Sequence, residues 1–124
     1  MILLKNNIQR IYSVYTACLF LMYIMIPNGK WDAHKGYDNT ILENLDHLCV
    51  FFVFGVLANL TNERLMFLNF YTKITISISI LIEFIHLILP YRGFELIDFA
   101  FNIIGCLFGI ISFYYIRKLL WKNY

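Results

Sequence analysis

Ionisable and amide side chains lie within or beside the apolar stretches of this 124-residue chain. Glu83 and His86 are three residues apart, so both would lie on one face of a helix. Asp98 and Asn102 are four residues apart, with the same consequence, and His47 stands at the start of a further apolar stretch. Carboxylate and imidazole groups can transfer protons, ligate metals or bind polar ligands. Because a charge at the centre of a bilayer is unfavourable by about 2.5–3.5 kcal/mol, these residues are candidates for function.

Arg92 lies in the short polar segment between His86 and Asp98. Its guanidinium can form a bidentate contact with the carboxylate of Glu83 or Asp98. It is equally suited to an anionic headgroup. The sequence favours Arg92 as the partner of Glu83, with His47 as the other candidate. The alternatives are that Glu83 is neutral or faces a water-filled pocket.

The composition indicates which kind of chain must position these residues. Apolar residues make up 60% and charged residues 15%, against roughly 45–50% and 25% in soluble domains. The mean hydropathy of +0.67 excludes disorder, and a net charge of +2 with scattered cations argues against a nucleic-acid partner. The three cysteines lack the spacing of a disulfide framework or zinc site and are predicted to be buried packing residues. The chain is therefore predicted to be an integral membrane protein.

Four apolar segments are long enough to hold the candidate residues within a membrane. A bilayer core needs about 20 helical residues, with a range of about 17–25. The segments are approximately 8–26, 45–61, 67–89 and 96–119. The predicted fold is all-α: a polytopic membrane protein with four transmembrane helices, forming one domain over residues 1–124 as a four-helix bundle.

Two segments admit another interpretation. Residues 74–80 alternate in polarity like a half-buried strand, but a lone strand would leave its backbone unpaired in hydrocarbon, so we predict a helix. The first apolar run follows Lys5 and Arg10 as in a signal peptide, but residues 27–30 lack a small-residue cleavage pattern. We expect an uncleaved first span.

The distribution of cations predicts the orientation in the membrane. Four spans place seven cations on one side and three on the other: Lys5, Arg10, Arg64, Lys73, Arg117, Lys118 and Lys122 against Lys30, Lys35 and Arg92. Positive residues accumulate in the cytoplasm. Both termini are therefore predicted to be cytoplasmic in the inner (plasma) membrane, and the candidate polar residues fall in the outer leaflet.

Three short motifs carry a resemblance to a known family. Residues 83–86 read EFIH, residues 89–92 read LPYR, and residues 98–105 read DFAFNIIG. The chain resembles the VanZ-like membrane protein family, whose third and fourth spans read E-x-x-Q, L-P-x-R and D-x-x-x-N-x-x-G. Residues 47–51 (HLCVF) are similar to the family's H-x-x-x-F. His86 stands where the family usually has Gln.

The resemblance implies a small multi-spanning protein of the cell envelope. The family is named for a factor that gives low-level resistance to the glycopeptide antibiotic teicoplanin. The resemblance therefore implies a fold and a location, but it does not imply a particular reaction.

Small residues predict a close helix contact in the fourth span. Gly105 and Gly109 form a G-x-x-x-G pattern, which permits backbones to approach within a membrane. The presence of Gly55 in the second span favours a contact within the chain over one between two copies.

Two hypotheses of function follow. The first is an outer-leaflet pocket that binds an envelope lipid, a lipid-linked ligand or a glycopeptide-like amphiphile; its candidate residues are His47, Glu83, His86, Arg92, Asp98 and Asn102. The second is a structural or assembly subunit, whose buried polar residues serve packing and whose partner is another membrane protein.

Catalysis remains open as one form of the first hypothesis, with His47 or Glu83 as general base. No G-x-S-x-G, H-E-x-x-H or Walker pattern occurs, so the sequence favours a binding or structural protein over an enzyme. A metal site is stereochemically possible for His47, Glu83, His86 and Asp98. Because outward-facing membrane sites seldom assemble such clusters, and because the family has Gln in place of His86, we expect no metal and no cofactor.

Overall fold

The computed structural model describes residues 2–25, 39–61, 68–90 and 94–121. All regular structure in these ranges is helical, which confirms the all-α prediction. The elements are α1 (Ile2–Phe20), a π-helical segment (Leu21–Met25) that continues it, α2 (Asn39–Leu60), α3 (Phe70–His86) and α4 (Leu96–Trp121).

Residues 74–80 belong to α3, so their alternating polarity does not produce a strand. The side chain of Ser79 donates a hydrogen bond to the carbonyl of Thr75 one turn earlier, at 2.8 Å. Such hydroxyls are satisfied within the helix itself and need no water. The helix prediction for this segment is confirmed.

The end of α3 differs from the predicted end of the third span at residue 89. The helix ends at His86, and the next two amides bond to carbonyls three residues back: Leu87 to Phe84 at 3.2 Å and Ile88 to Ile85 at 3.0 Å. Pro90 follows, and a proline disfavours the α conformation in the residue before it. The tightened last turn therefore ends α3 one turn early.

A capping box begins α3. The Oδ1 of Asn69 accepts a hydrogen bond from the Thr72 amide at 2.9 Å, and the Thr72 hydroxyl accepts one from the Asn69 amide at 2.9 Å. The Nδ2 of Asn69 is buried without a hydrogen-bond partner among the described residues. The cap thus uses the amide oxygen and leaves the amide nitrogen unsatisfied.

Asn69→Ala is expected to lower the free energy of unfolding by about 1 kcal/mol, because the first turn of α3 loses its acceptor. Asn69→Ser should stay within about 0.5 kcal/mol of wild type, since serine caps equally well and removes the unsatisfied donor. Unfolding in mixed detergent micelles, followed by circular dichroism, measures both. Equal losses in the two variants would show that the destabilisation does not come from loss of the cap.

Helices α2 and α4 run parallel and form the largest interface of the described chain. The Cβ that a side chain would add at Gly105 meets the carbonyl of Leu48, and one at Gly109 meets the carbonyl of Phe52. One at Gly55 meets the backbone of α4. Both glycines of the G-x-x-x-G pattern therefore lie against α2 of the same chain, where only the absence of a side chain allows this separation.

The first helical segment runs antiparallel to α2 through aromatic contacts. The rings of Tyr12 and Phe54 stack with centroids 5.4 Å apart, and those of Tyr23 and Phe51 meet edge to face at 5.7 Å. The Tyr12 hydroxyl shares a 2.8 Å hydrogen bond with that of Thr75 in α3. These contacts place the π-helical segment at the end of the molecule where α2 and α4 begin and α3 ends.

The polarity of α3 is the reverse of that in a soluble helix. Its buried polar residues are Thr72, Thr75, Ser79, Glu83 and His86. Large apolar side chains of this helix and the turn after it are exposed: Phe70, Leu81, Phe84, Leu87 and Ile88. Lys73, in the first turn, is an exposed charge at a position where a long side chain can extend beyond the hydrocarbon. An apolar exterior around a polar interior is typical of a helix surrounded by lipid.

Two helices are long and apolar enough to cross a membrane: Asn6–Met25 with 20 residues and Leu96–Leu120 with 25. The apolar part of α2, Asn44–Leu60, is shorter than these, and α3 has 17 residues. These helices and the polarity of α3 indicate a membrane protein.

The cysteines are distributed differently from the prediction. Cys106 is buried at the α2–α4 interface, as predicted, but Cys18 and Cys49 are exposed. The prediction was wrong for these two because an apolar neighbourhood in the sequence does not distinguish the interior from a lipid-facing surface.

Candidate functional site

Three helices bring five of the six predicted pocket residues together at one end of the molecule. His47 lies near the start of α2, Glu83 and His86 lie at the end of α3, and Asp98 and Asn102 lie at the start of α4. Because α3 is antiparallel to both α2 and α4, its end meets their beginnings. We call these five residues the polar cluster. The sixth, Arg92, lies outside the described residues.

Asn102 is the centre of the polar cluster and is fully buried. Its Oδ1 lies 2.7 Å from the Nδ1 of His47. Its Nδ2 donates a 3.3 Å hydrogen bond to the Oε1 of Glu83. Since an amide oxygen only accepts, the Nδ1 of His47 must carry a proton and donate it to Asn102. One amide thus fixes the tautomer of His47 and orients the carboxyl group of Glu83.

Glu83 and His86 form a second, fully enclosed pair. The Nδ1 of His86 lies 3.2 Å from the Oε2 of Glu83, and Glu83 has no exposed surface. The other ring nitrogen of His86, Nε2, lies 2.9 Å from the carbonyl oxygen of Tyr23. A carbonyl only accepts hydrogen bonds, so Nε2 must carry a proton.

The hydrogen bonds of this pair require one further proton. With Nε2 protonated, a neutral His86 has a lone pair on Nδ1, which would face a lone pair of an ionised Glu83. The 3.2 Å contact is a hydrogen bond only if Glu83 is protonated or His86 is an imidazolium cation. Both forms give the pair a net charge of zero, which explains how it is tolerated without contact with water.

His47 and Asp98 lie at the outer side of the polar cluster. The Nε2 of His47 lies 3.9 Å from the Oδ2 of Asp98, and their side chains are 10% and 13% exposed. The Nδ1 of His47 donates to Asn102, so in a neutral imidazole Nε2 carries the lone pair. The described part of the chain offers Nε2 no hydrogen bond, which leaves this nitrogen able to bind an electrophile or a donor.

The described partners of Glu83 are Asn102 and His86. His47, the second candidate from the sequence, contacts Asn102 instead, and Arg92, the favoured partner, lies outside the described residues. The three-residue spacing of Glu83 and His86 indicated a shared face, but it did not indicate that the two side chains would satisfy each other.

Sequence reasoning missed Tyr23. Its carbonyl accepts from His86, and its ring stands perpendicular to that of His47 with centroids 5.0 Å apart. The residue lies in the π-helical segment, a type of turn that is frequent at functional sites. A backbone acceptor leaves no signal in the residue type, so no pattern could have identified it.

Comparisons with known proteins agree with the motifs of the polar cluster. A family model described as VanZ/LLP1 matches residues 4–119, which include α2, α3, nearly all of α1 and α4, and the segment that holds Arg92. Comparisons with curated proteins and with solved structures found no significant match. Because the match covers nearly the whole chain, the protein belongs to the VanZ/LLP1 family.

Proposed function

We propose that this protein binds the polar head of an envelope lipid or of a lipid-like amphiphile at the polar cluster. The proposal places four spans in the inner (plasma) membrane, both termini in the cytoplasm and the polar cluster in the outer leaflet. One observation carries it: His47 and Asp98 are the partly exposed edge of a network that is otherwise sealed inside the molecule.

The gradient of burial supports a site that opens in one direction. Glu83 and Asn102 have no exposed surface, and they hold His47 at the edge through a 2.7 Å hydrogen bond. A group fixed in this way binds a ligand without first losing rotamer freedom. The end of the helices at which the edge lies is also the end that the cation distribution assigns to the outer side.

The chemistry of the edge suits an amphiphile with an anionic, hydrogen-bonding head. Arg92 follows Pro90 by two residues in the chain and precedes Asp98 by six. Its guanidinium would bind a phosphate or carboxylate, and Asp98 would accept hydrogen bonds from hydroxyl groups of the head. The exposed apolar side chains nearby, Leu87 and Ile88, would contact the acyl part.

The test compares lipid retention by Arg92→Ala and Arg10→Ala. Native mass spectrometry of the purified protein measures binding of phosphatidylglycerol, with phosphatidylcholine as the zwitterionic reference. Arg92→Ala should weaken phosphatidylglycerol binding about tenfold or more, the effect of losing a charge-assisted hydrogen bond. Arg10 is an exposed arginine on the first helix at the opposite end, and its removal should change little. Equal retention in both variants would contradict the proposal.

A second function is favoured by the internal satisfaction of the polar cluster. Glu83, His86 and Asn102 hydrogen-bond to each other or to the backbone, as expected of residues that only hold helices together. In that case the protein is a structural or assembly subunit with a membrane-protein partner. Asp98→Asn would then leave phosphatidylglycerol binding unchanged while reducing crosslinking to the partner. The binding proposal requires the reverse result.

A further inference from the structure

Three potential ligand atoms converge where the partly exposed edge of the polar cluster meets its enclosed interior. His47, Glu83 and Asp98 each offer one nitrogen or oxygen atom, and the three atoms lie within 4.8 Å of one another. They come from α2, α3 and α4, so the convergence is a product of the packing and not of local sequence. We propose that these three residues form a binding site for a divalent transition-metal ion, with Zn²⁺ as the class best matched to one imidazole and two carboxylates.

The orientation of His47 supports this assignment. A histidine that ligates a metal almost always donates its other ring N–H to an oxygen acceptor, which fixes the tautomer and the ring plane. His47 makes this arrangement with Asn102 at 2.7 Å. Its side chain is nine-tenths buried, and its Nε2 faces Asp98 without a hydrogen bond from the described residues. The Nε2 lone pair of His47 therefore points toward the position that a cation bound between His47 and Asp98 would occupy.

Asn102 orients the second ligand as well. Its Nδ2 donates to the Oε1 of Glu83, while the Oε2 of Glu83 contacts His86. Each carboxylate oxygen has two lone pairs, so these contacts leave ligand capacity on Glu83. Hydrogen-bonded carboxylates are typical of metal ligands, because the outer partners hold the ligand geometry.

Distance and charge are both compatible with a bound dication. Zn²⁺ bonds of about 2.0–2.1 Å place tetrahedral ligand atoms roughly 3.4 Å apart. The Nε2 of His47 and the Oδ2 of Asp98 are 3.9 Å apart. A small rotation of either side chain would bring these two atoms to the separation that a tetrahedral ion requires. Once binding of the ion releases the proton that Glu83 and His86 share, the two carboxylates balance the charge of a dication in a region with little water, where an uncompensated charge is unfavourable. Three protein ligands would leave one position for water or a ligand atom.

The structure removes one of the two reasons for which the sequence disfavoured a metal, namely the family's Gln in place of His86. His86 does not belong to the three converging residues, and its Nε2 donates to the carbonyl of Tyr23.

The experiment titrates the purified, tag-free protein with metal alone. The protein is first treated with a chelator in detergent and then titrated with Co²⁺, whose visible spectrum reports coordination, and with Zn²⁺ by calorimetry. One site per chain is expected, together with a rise in melting temperature on Zn²⁺ addition. Asp98→Asn and His47→Gln should each weaken binding by tenfold or more.

Matched controls separate this site from adventitious binding. Asp46→Asn removes an exposed carboxylate adjacent to His47, and His34→Gln removes an imidazole that lies outside the described residues. Both should bind one Zn²⁺ within about twofold of wild type. Asp98 is partly exposed, so its variant is expected to fold, and its melting temperature without metal checks this.

Two results would overturn the proposal: no stoichiometric metal in wild type, or equal affinity in wild type and a folded Asp98→Asn variant. Because the probe is the metal without any lipid, the result is independent of whether the polar cluster binds an amphiphile.

Discussion

Replacing Gly109 with alanine is expected to destabilise the protein by more than about 3 kcal/mol, beyond the usual range of roughly 1–3 kcal/mol for overpacking. The added Cβ would collide with the carbonyl of Phe52 and contact the amide of Val56. All of these obstructing atoms belong to the backbone of α2, so no rotamer change can relieve the collision. The two helices would have to separate along the interface that also positions His47 and Asn102.

The measurement is unfolding in mixed detergent micelles, with Ala100→Val as the control. Ala100 lies on the exposed side of α4, so added methyl groups there meet detergent or lipid, and the free energy of unfolding should change by no more than about 0.5 kcal/mol. A Gly109→Ala protein as stable as the control would show that α2 and α4 do not approach this closely. Gly105→Ala, which places a Cβ against Leu48, should behave like Gly109→Ala.

Replacing Glu83 with alanine is expected to lower the free energy of unfolding by about 3–5 kcal/mol, the effect of removing one partner from a buried pair. The Nδ2 of Asn102 and the Nδ1 of His86 would both lose their hydrogen-bond partner at positions with almost no exposed surface. The lost volume of the side chain adds a cavity.

Glu83→Gln is the informative control, because it keeps the shape and both hydrogen bonds. The amide oxygen can accept from Asn102, and the amide nitrogen can donate to the lone pair on the Nδ1 of His86. We expect its stability to be within about 1 kcal/mol of wild type. A loss in Glu83→Gln as large as that in Glu83→Ala would contradict the hydrogen-bond scheme of this pair. The same variant should bind Zn²⁺ more weakly, since it removes an anionic ligand.

Much of the site could be predicted from spacing and connectivity. The intervals between Glu83 and His86 and between Asp98 and Asn102 predict shared helix faces, and an alternating direction of successive spans places them at the same end as His47. The glycines of the fourth span predicted a close contact, and the structure brings them against α2. These predictions depend only on helix geometry, which is the same in every helix.

The sequence could not predict which polar groups pair. Five side chains that share one end of the molecule can form many alternative sets of hydrogen bonds. These sets differ from one another only in the rotamers of a few side chains on fixed helices. Asn102 joins His47 to Glu83, and Tyr23 contributes only a carbonyl. Neither role follows from residue type.

The sequence by itself therefore determined the class of protein, the helical segments and the set of residues at the polar end, because hydropathy and helical periodicity are properties of the chain alone. Only the tertiary structure decided the rest: that Glu83 and His86 satisfy each other, and that His47, Glu83 and Asp98 converge instead of a set that includes His86. Those outcomes depend on the close parallel contact of α2 with α4 and on the backbone of the π-helical segment. Interactions between atoms distant in the chain are fixed only when the helices have packed.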